Sequence, residues 1–563
     1  MDRDRITGLI IIALMLVVYF QFIAPRQASK PPHTLQPTNA APLAATAPHG
    51  TASVPQVTAA PATVDTALHA NAAPHPTLSS DLPSAALSND VAAFSFTSFD
   101  ACITHIELAK TPIVRKGPII TATAASNNWE MPFRLRSIGP QSLPGSFLSV
   151  EQSASHALSF TGMITDGLFL RTTYLLTNGY FLHASLTFSN ITPHALNSTN
   201  TCTVWLGRIN HVGSTPDRYD VRSADISIAM PNGKSVLRRV KPSKKDSLET
   251  LDGPVVWLAV RNKYFAHILV PDAPFTAAFV ASCGSANDRH VSAYAAFDLP
   301  PLPAGAAAAW HATLYAGPKA YEQLKHLAAR FGRGQDYMEI LNLGWFSILA
   351  KPILVYGLKG LYRYVHNYGI AIIILTIIIK LLTWPLQTKS FESMQRMQKL
   401  QPELNKLKEQ FKDDPRKLQH EQMLLYRKHG VNPLGGCLPV LLQIPIFFAL
   451  YQALSNAIEL WGASFWWIKD LSLPDTVAHL PFSIPFLGDA INPLPLLMTA
   501  ATIGQQIVTP HTGDKSQKQM MFMMPIIFLF LFYNMPSGLV LYWFVSQILS
   551  AGQMLYLHYV RKA

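Results

Sequence analysis

Charge is scarce in this chain. Asp, Glu, Lys and Arg make up 14% of its 563 residues, against roughly a quarter in soluble globular proteins, while apolar residues reach 49%. That shortage excludes an ordinary soluble enzyme and points to membrane spans joined to at least one aqueous domain. Cysteine is scarce too. Cys102, Cys202, Cys283 and Cys437 are too few for a disulfide scaffold or a cysteine-rich zinc module. Catalytic signatures are missing: there is no H-E-x-x-H, no G-x-x-x-x-G-K-[ST], no G-x-S-x-G and no paired-cysteine zinc spacing. No catalysis, metal or cofactor is therefore expected. The apolar runs also lack interior Asp, Glu or His, which argues against a proton-coupled transporter. The net charge of +12 is read against membrane topology before nucleic acid, and no specific nucleic-acid partner is expected.

What the chain does have is long apolar runs, and a span takes about 20 such residues. Behind Met1-Asp2-Arg3-Asp4-Arg5, residues 6–24 are free of charge. The run is too long for the apolar region of a cleaved signal, and Pro25 follows Ala24, so an uncleaved anchor at 1–24 is expected. Residues 364–388 carry a single charge, Lys380, and residues 429–458, 490–513 and 519–560 carry none. The last run suits two spans, with Met535-Pro536-Ser537-Gly538 as the turn. Spans are expected near 368–386, 436–457, 491–510, 519–534 and 539–558, six with the anchor. Residues 389–428 hold ten Lys/Arg, whereas 461–490 hold only Lys469. This bias places the first connection in the cytoplasm and the second outside. Parity then puts both termini inside and residues 25 to about 365 outside.

In the outer segment, residues 25–90 hold eleven prolines among Ala, Thr, His and Ser. Such a stretch buries too little apolar area to offset its ordering entropy and reads as a disordered linker. From Val91 to about Gly317 the texture is that of strands. Asn178-Gly179 divides two strand-like runs within 167–188, a strong hairpin signal, and Val255–Val270 and Tyr294–Tyr315 repeat the pattern. An all-β sandwich over 91–332, closing on a helix at 320–331, is expected. Cys102, Cys202 and Cys283 fall here; an odd number leaves at least one unpaired, and buried small apolar residues is the simpler account. Residues 343–365 are apolar and aromatic but interrupted by Lys351, Pro352, Lys359 and Arg363. They suit an amphipathic helix in the outer interface, with a helix packed on the β domain as the other reading.

The cytoplasmic connection, 388–430, places Met394, Met397, Leu400, Leu404, Leu407 and Phe411 at helical spacing. Asp413-Asp414-Pro415 makes a turn, with Pro415 opening a second helix that ends at Gly430. The Met-bearing stripe of this hairpin is either a seam between its helices or an adaptable docking surface for apolar segments. Lys380 carries a cost on the order of 2.5–3.5 kcal/mol near mid-bilayer. Either its stem snorkels toward the cytoplasmic surface near Pro385, or it faces a wet cavity. The last five expected spans offer no acid, but they offer Thr376, Gln443, Gln452, Gln505, Gln506, Ser546, Gln547 and Ser550. A solvated groove fits that inventory better than a buried ion pair.

Six segments carry a resemblance. GIAIIILTIIIKLLTWPL (369–386), NPLGGCLPVLLQIPIFFALY (432–451) and NMPSGLVLYWFVS (534–546) resemble the bacterial members of the YidC/Oxa/Alb family of membrane protein insertases. WLAVRNKYFAHILVP (257–271), LYAGPKAYEQL (314–324) and LGWFSILAKP (343–352) resemble its Gram-negative form. The likeness covers nearly the whole chain beyond the linker, in the same order. It implies a polytopic α-helical protein of the inner membrane, with a five-helix insertase core, a signal-anchor-like first span and a periplasmic β-supersandwich. It also implies an insertase and chaperone for nascent inner-membrane proteins, acting alone or beside the Sec translocon and its accessory subunits, in contact with membrane lipids and at times a translating ribosome. The family's groove opens to cytoplasm and lipid and is closed outside. Three features depart from the family pattern. The groove charge is usually Arg and is Lys380 here, Tyr542-Trp543 stands where two tyrosines are common, and the tail after Tyr559 lacks the long basic extension some relatives use at the ribosome.

Residues and resemblance together give an expected route. Met394, Met397, Leu404 and Phe411 dock a client segment; Lys380, lined by Thr376, Gln443, Gln506, Ser546 and Gln547, attracts its acidic part; and the apolar part leaves past Ile444, Phe447, Phe528, Phe532, Tyr542 and Trp543. The rival readings are a transporter or lipid scramblase using the same groove, and an anchored carbohydrate-binding module.

Overall fold

The computed structural model describes residues 84–560, apart from 110–118, 124–131, 139–140, 143–145, 197–199, 211–221, 231–233, 286–287, 432–437, 510–514 and the single residues 244, 333, 413 and 486. The expected anchor and the linker as far as residue 83 lie outside the described residues.

Two sheets build the outer domain. Ser84–Ser88, Ala92–Thr97, Ile103–Leu108 and Ile119–Thr123 form a four-stranded antiparallel sheet in chain order. Its first strand falls inside the stretch expected to be linker. SAALS has little apolar content of its own, but it pairs from Ser84↔Thr97 to Ser88↔Ala93 and buries Leu87, so tertiary pairing overrides local composition. Among the described residues the second sheet has 14 strands. Within it Leu168–Leu176 and Phe181–Asn190 form the hairpin expected at Asn178-Gly179, with Gly179 at φ +86°, where a Cβ would be strained. Ser247–Arg261 returns as Phe265–Pro271 through Asn262, whose Oδ1 accepts the Tyr264 and Phe265 N–H groups at 3.0 and 2.7 Å. Asp288–Leu299 and Ala307–Pro318 are both strands, but they sit apart in the sheet rather than as neighbours. Phe96 of the small sheet lies 4.7 Å from Tyr174 and 6.1 Å from Phe160 of the large one, and the Tyr174 hydroxyl donates to Ala101 O at 2.7 Å. These contacts make the pair of sheets a sandwich. Cys102 and Cys202 are buried in it.

One buried ionic cluster ties the sheet to the chain's exit. Asp225, fully buried, meets Arg261 Nε at 2.6 Å and Arg239 Nε at 2.7 Å. Burial alone would raise the Asp225 carboxyl; the two guanidiniums outweigh it and hold the group below its usual range. Arg239 also donates to Asn342 Oδ1 at 2.8 Å and Glu339 O at 3.0 Å.

Helices follow. α1 (Tyr321–Phe331) buries Leu324 and Leu327, as expected from 320–331, and α2 is Gly334–Glu339. Residues 347–365 are helical throughout: α3 (Ser347–Pro352), a π-helical stretch Ile353–Lys359, and α4 (Gly360–Val365). Ala350, Leu354 and Leu358 are buried, while Trp345, Ile348, Tyr356 and Tyr364 are exposed. Among the described residues five longer helices follow, apart from the basic hairpin: α5 (Tyr368–Lys399), then, beyond α6 (Gln401–Gln410) and α7 (Pro415–Lys428), α8 (Leu438–Asn456), α9 (Pro493–Val508), α10 (Lys515–Phe532) and α11 (Ser537–Val560). Among the described residues, Tyr368–Lys399 and Ser537–Tyr559 are long and apolar enough to cross a membrane. α11 is central and packs against α9, α5 and α8.

α5 does not end where the expected span does, near residue 386, but runs on through Pro385 to Lys399. Proline removes one donor and would normally kink or end the helix. Here Thr383 Oγ1 donates to Ile379 O at 3.0 Å, Thr388 Oγ1 to Trp384 O at 3.0 Å, and Gln553 Nε2 of α11 also reaches Trp384 O at 3.3 Å. Pro385 leaves Leu381 O without its backbone donor, and these side-chain bonds reinforce the carbonyls on either side of that gap.

Candidate functional site

Two polar stripes face each other where α5 meets α11. On α5 they are Thr376, Lys380, Thr383 and Gln387, and on α11 Tyr542, Ser546, Ser550 and Gln553. Steps of three and four residues put each set on one helix face. Lys380 Nζ donates to Ser550 Oγ at 2.7 Å, and the residue is only 9% exposed. Twelve residues into α5, Lys380 lies about 18 Å along it at 1.5 Å per residue. The stem therefore turns inward to α11 and does not snorkel. Among the described residues Lys380 has no acidic partner, so its ammonium is buried against neutral oxygen alone.

The other expected lining residues divide. Thr376 is buried and spends its hydroxyl on Ile372 O, at 2.7 Å. Gln443 of α8 donates to the Tyr542 hydroxyl at 2.7 Å, so Tyr542 belongs to the polar seam and not to the apolar path. Ser546 is buried between Tyr542 and Ser550, while Gln547 is half-buried off the stripe. Gln506 is half-buried, with an Oε1 that finds no partner among the described residues. Its neighbour Gln505 bonds Thr509 Oγ1 at 3.0 Å. Gln452 is not part of the seam: it lies against Asn456 and Gly344. Gln553, which bonds Trp384 O and Thr388 Oγ1, was missed by the sequence reading, although its step of three from Ser550 could have found it.

The apolar residues converge as well. Phe447 of α8, Phe528 and Phe532 of α10 and Trp543 of α11 form one ring cluster, with centroids 5.3 Å (Phe447–Trp543), 5.5 Å (Phe528–Trp543) and 5.4 Å (Phe532–Trp543) apart. Ile444 is half-buried one turn earlier on α8. The Trp543 N–H has no partner among the described residues.

The basic hairpin forms where expected. Pro415 opens α7, and Asp414 caps it by accepting the Lys417 N–H at 3.1 Å. Leu400 and Leu404 are buried in the seam between helices, whereas Met394, Met397, Leu407 and Phe411 stay half-exposed. Met423 and Leu424 of α7, which the sequence reading passed over, are exposed apolar residues on the same hairpin.

At the opposite end the connection between α8 and α9 forms a lid. Ser537 N and Gly538 N donate to Leu473 O and Leu471 O at 2.8 and 2.9 Å, and Asp475 Oδ2 accepts the Leu494 N–H at 2.7 Å. Phe465 sits on Gly369, where a Cβ would come within 2.2 Å of its ring. Glu459, nearly buried, pairs with Lys359 at 3.2 Å. Tyr264 and Phe265, from the β-domain hairpin, pack against Trp461 at ring distances of 5.9 and 5.7 Å. The seam is thus sealed at the end where the β domain sits, and basic helices flank its other end.

A helical core with a buried cation in a polar seam, an outer lid and a β-sandwich docked on that lid defines a membrane-embedded protein of the insertase class. A family model described as the 60Kd inner membrane protein matches residues 360–563, and one described as the YidC periplasmic domain matches 145–356. The chain is 34% identical over 498 residues to the membrane protein insertase YidC of Nitratidesulfovibrio vulgaris, covering 84% of this chain and 82% of that one. It is 51% identical over 246 residues to the membrane protein insertase YidC of Pelobacter propionicus, an alignment covering 44% of each chain. With the same protein of Syntrophobacter fumaroxidans the identity is 43%, over 55% of this chain and 54% of that one. The chain thus spans about half the length of these last two relatives. A crystal structure of an active YidC insertase with its first transmembrane domain resolved aligns over 83% of this chain and 91% of that one, at 18% identity and TM-score 0.35. The chain belongs to the YidC family of membrane protein insertases, an inner-membrane family with a periplasmic domain.

Proposed function

We propose that this protein inserts and helps to fold inner-membrane proteins without nucleotide hydrolysis, through a groove centred on Lys380. The observation that carries the reading is a buried ammonium whose partner among the described residues is a single hydroxyl, Ser550. A charge held this way costs stability, so its value lies in what it attracts. The hairpin Met394–Phe411 receives an apolar client segment, and Lys380 draws in the acidic residues of the short region to be translocated. Coulomb attraction at 4 Å is about 1 kcal/mol in water and about 4 kcal/mol at an effective dielectric near 20, so the groove gains most where water is partly excluded. The unpartnered Gln506 Oε1 and Trp543 N–H offer further contacts to polar client groups. The apolar segment then leaves past Ile444, Phe447, Phe528, Phe532 and Trp543 into lipid, driven by burial of apolar area at about 25 cal/mol per Å².

This reading takes six spans: the anchor, α5 up to about residue 386, α8, α9, α10 and α11. Both termini are cytoplasmic and the sandwich is periplasmic. The ten Lys/Arg of residues 389–428 support that orientation. The 343–365 segment lies in the outer interface, which suits its exposed Trp345, Ile348, Tyr356 and Tyr364. Clients arrive from the ribosome directly or beside the Sec translocon. The experiment is reconstitution of the purified chain in lipid vesicles with a small single-span client bearing an acidic N-terminal region. Insertion without added nucleotide is expected; solute or lipid flux with no client insertion would overturn the reading in favour of a transporter or scramblase.

A further inference from the structure

The lid carries a feature that insertion does not use. Ala478–Ile484 and Gly488–Ile491 form a two-stranded hairpin between α8 and α9. Neither face is covered: the first strand has no buried residue, Phe482 is 61% exposed and Val477, just before it, 52%. A two-stranded hairpin on its own is marginal in water and needs a third surface. Its tip, residues 480–487 (LPFSIPFL), has no charge, and Pro481 and Pro485 remove two N–H donors. Its titratable side chains, His479 and Asp489, meet each other at 3.0 Å near the open end.

The root is fixed at a known level. Asn492, fully buried, donates to Tyr533 O at 2.7 Å, the Tyr533 hydroxyl donates to Ala490 O at 2.8 Å, and α9 begins at Pro493. The hairpin therefore starts at the outer end of a helix read as a span. Trp466 marks the same level. It is 85% exposed at φ +52°, and its ring lies 4.6 Å from Trp467, whose N–H bonds Asp475, the residue that accepts the Leu494 N–H of α9. Exposed tryptophans at span ends belong to the membrane interface.

We propose that this hairpin lies in the outer-leaflet interface, with Phe482 among the phospholipid headgroups and upper acyl chains and Trp466 beside it, so that the lid is held to lipid independently of the β domain. The cross-strand partners are Ala478↔Ile491, His479↔Ala490 and Ile484↔Gly488. Among the described residues the ladder breaks register between His479 and Ile484, which keeps the hairpin out of the hydrocarbon centre, where unpaired peptide groups go unsatisfied. The depth is that of the interface. The inference rests on the orientation proposed above.

The test is nitroxide accessibility in the full chain, reconstituted in phosphatidylethanolamine–phosphatidylglycerol vesicles. Labels go on Phe482→Cys and, one residue on, Ser483→Cys, which removes no apolar side chain; the parent carries Cys283→Ser and Cys437→Ser to set the background. Leu382→Cys on α5 and Asp272→Cys on the β domain give the lipid and water references. Both hairpin labels should meet oxygen more often, and a water-soluble nickel complex several-fold less often, than the Asp272 label. Hairpin labels that match Asp272 while Leu382 reads lipid overturn the inference and leave the spans intact. Hairpin labels shielded from both reagents show a protein surface there instead, and also overturn it. A Leu382 label that reads water overturns the span assignment itself.

Discussion

The outer domain and the helical core each bury charge, and they treat it in opposite ways. Asp225 in the β sandwich is neutralised on both oxygens by Arg261 and Arg239, and the cluster continues into Asn342 and Glu339. Lys380 in the core meets one serine hydroxyl. Every partner in the first cluster is spent within the fold, which is what a structural charge requires. The second, on the proposed function, keeps its field for a client. On the function proposed above, complete pairing goes with the region that holds shape, and incomplete pairing with the region proposed to act on a client.

The comparison can be broken in several places. The largest effect is expected from deleting residues 391–428, which removes the docking helices and leaves Lys380 in place. Insertion of a single-span client should be abolished while protease accessibility of the remaining loops is unchanged; full insertion would remove the docking role. Next, Asp225→Asn leaves two guanidiniums without their carboxylate and should destabilise the sandwich by about 3–5 kcal/mol, read from urea unfolding of the outer domain in the intact chain. The pH dependence follows the same cluster. The Asp225 carboxyl is held below its usual range by Arg261 and Arg239 against burial. Its stabilisation is therefore present in full above the unfolded value near pH 4 and is lost as pH falls through the lower folded value. Unfolding midpoints measured between pH 7 and pH 2 should converge for the parent and Asp225→Asn at the acid end.

Smaller effects sharpen the core half of the comparison. Lys380→Leu should slow insertion of an acidic client by no more than a few kcal/mol in activation free energy, the size of a half-screened ion pair, without lowering the unfolding midpoint. Tyr542→Phe removes the acceptor of the Gln443 amide and should cost about 1 kcal/mol of core stability, measured by thermal unfolding in detergent. A loss as large as that of Asp225→Asn would make the seam structural.

Much of this architecture was legible in residue order. Asn178-Gly179 marks its hairpin because Gly179 takes the left-handed backbone that the turn needs, and Asp414-Pro415 marks the start of α7 because a cap and a proline at the first position are local chemistry. Lys380 stood out because a charge in a long apolar run is rare. What stayed hidden is non-local. Ser84–Ser88 is a strand only because Ala92–Thr97 pairs with it. α5 runs on through Pro385, which nothing local announces, and Gln553 meets the Trp384 carbonyl from 169 residues away. Ser550 was one of eight polar candidates, and nothing in its neighbourhood in the chain singles it out as the partner of Lys380. The packing of Tyr264 and Phe265 on Trp461 joins two domains whose patterns never refer to each other.

The central claim is that Lys380 acts on clients as a positive charge. Insertion rates should be measured in reconstituted vesicles for two clients that differ only in whether the translocated segment is acidic or neutral, with Lys380→Arg and Lys380→Gln beside the parent. Lys380→Arg should match the parent for both clients, because the charge is kept. Lys380→Gln should slow the acidic client and spare the neutral one. Equal slowing of both clients by Lys380→Gln would contradict the account and leave Lys380 as a packing residue.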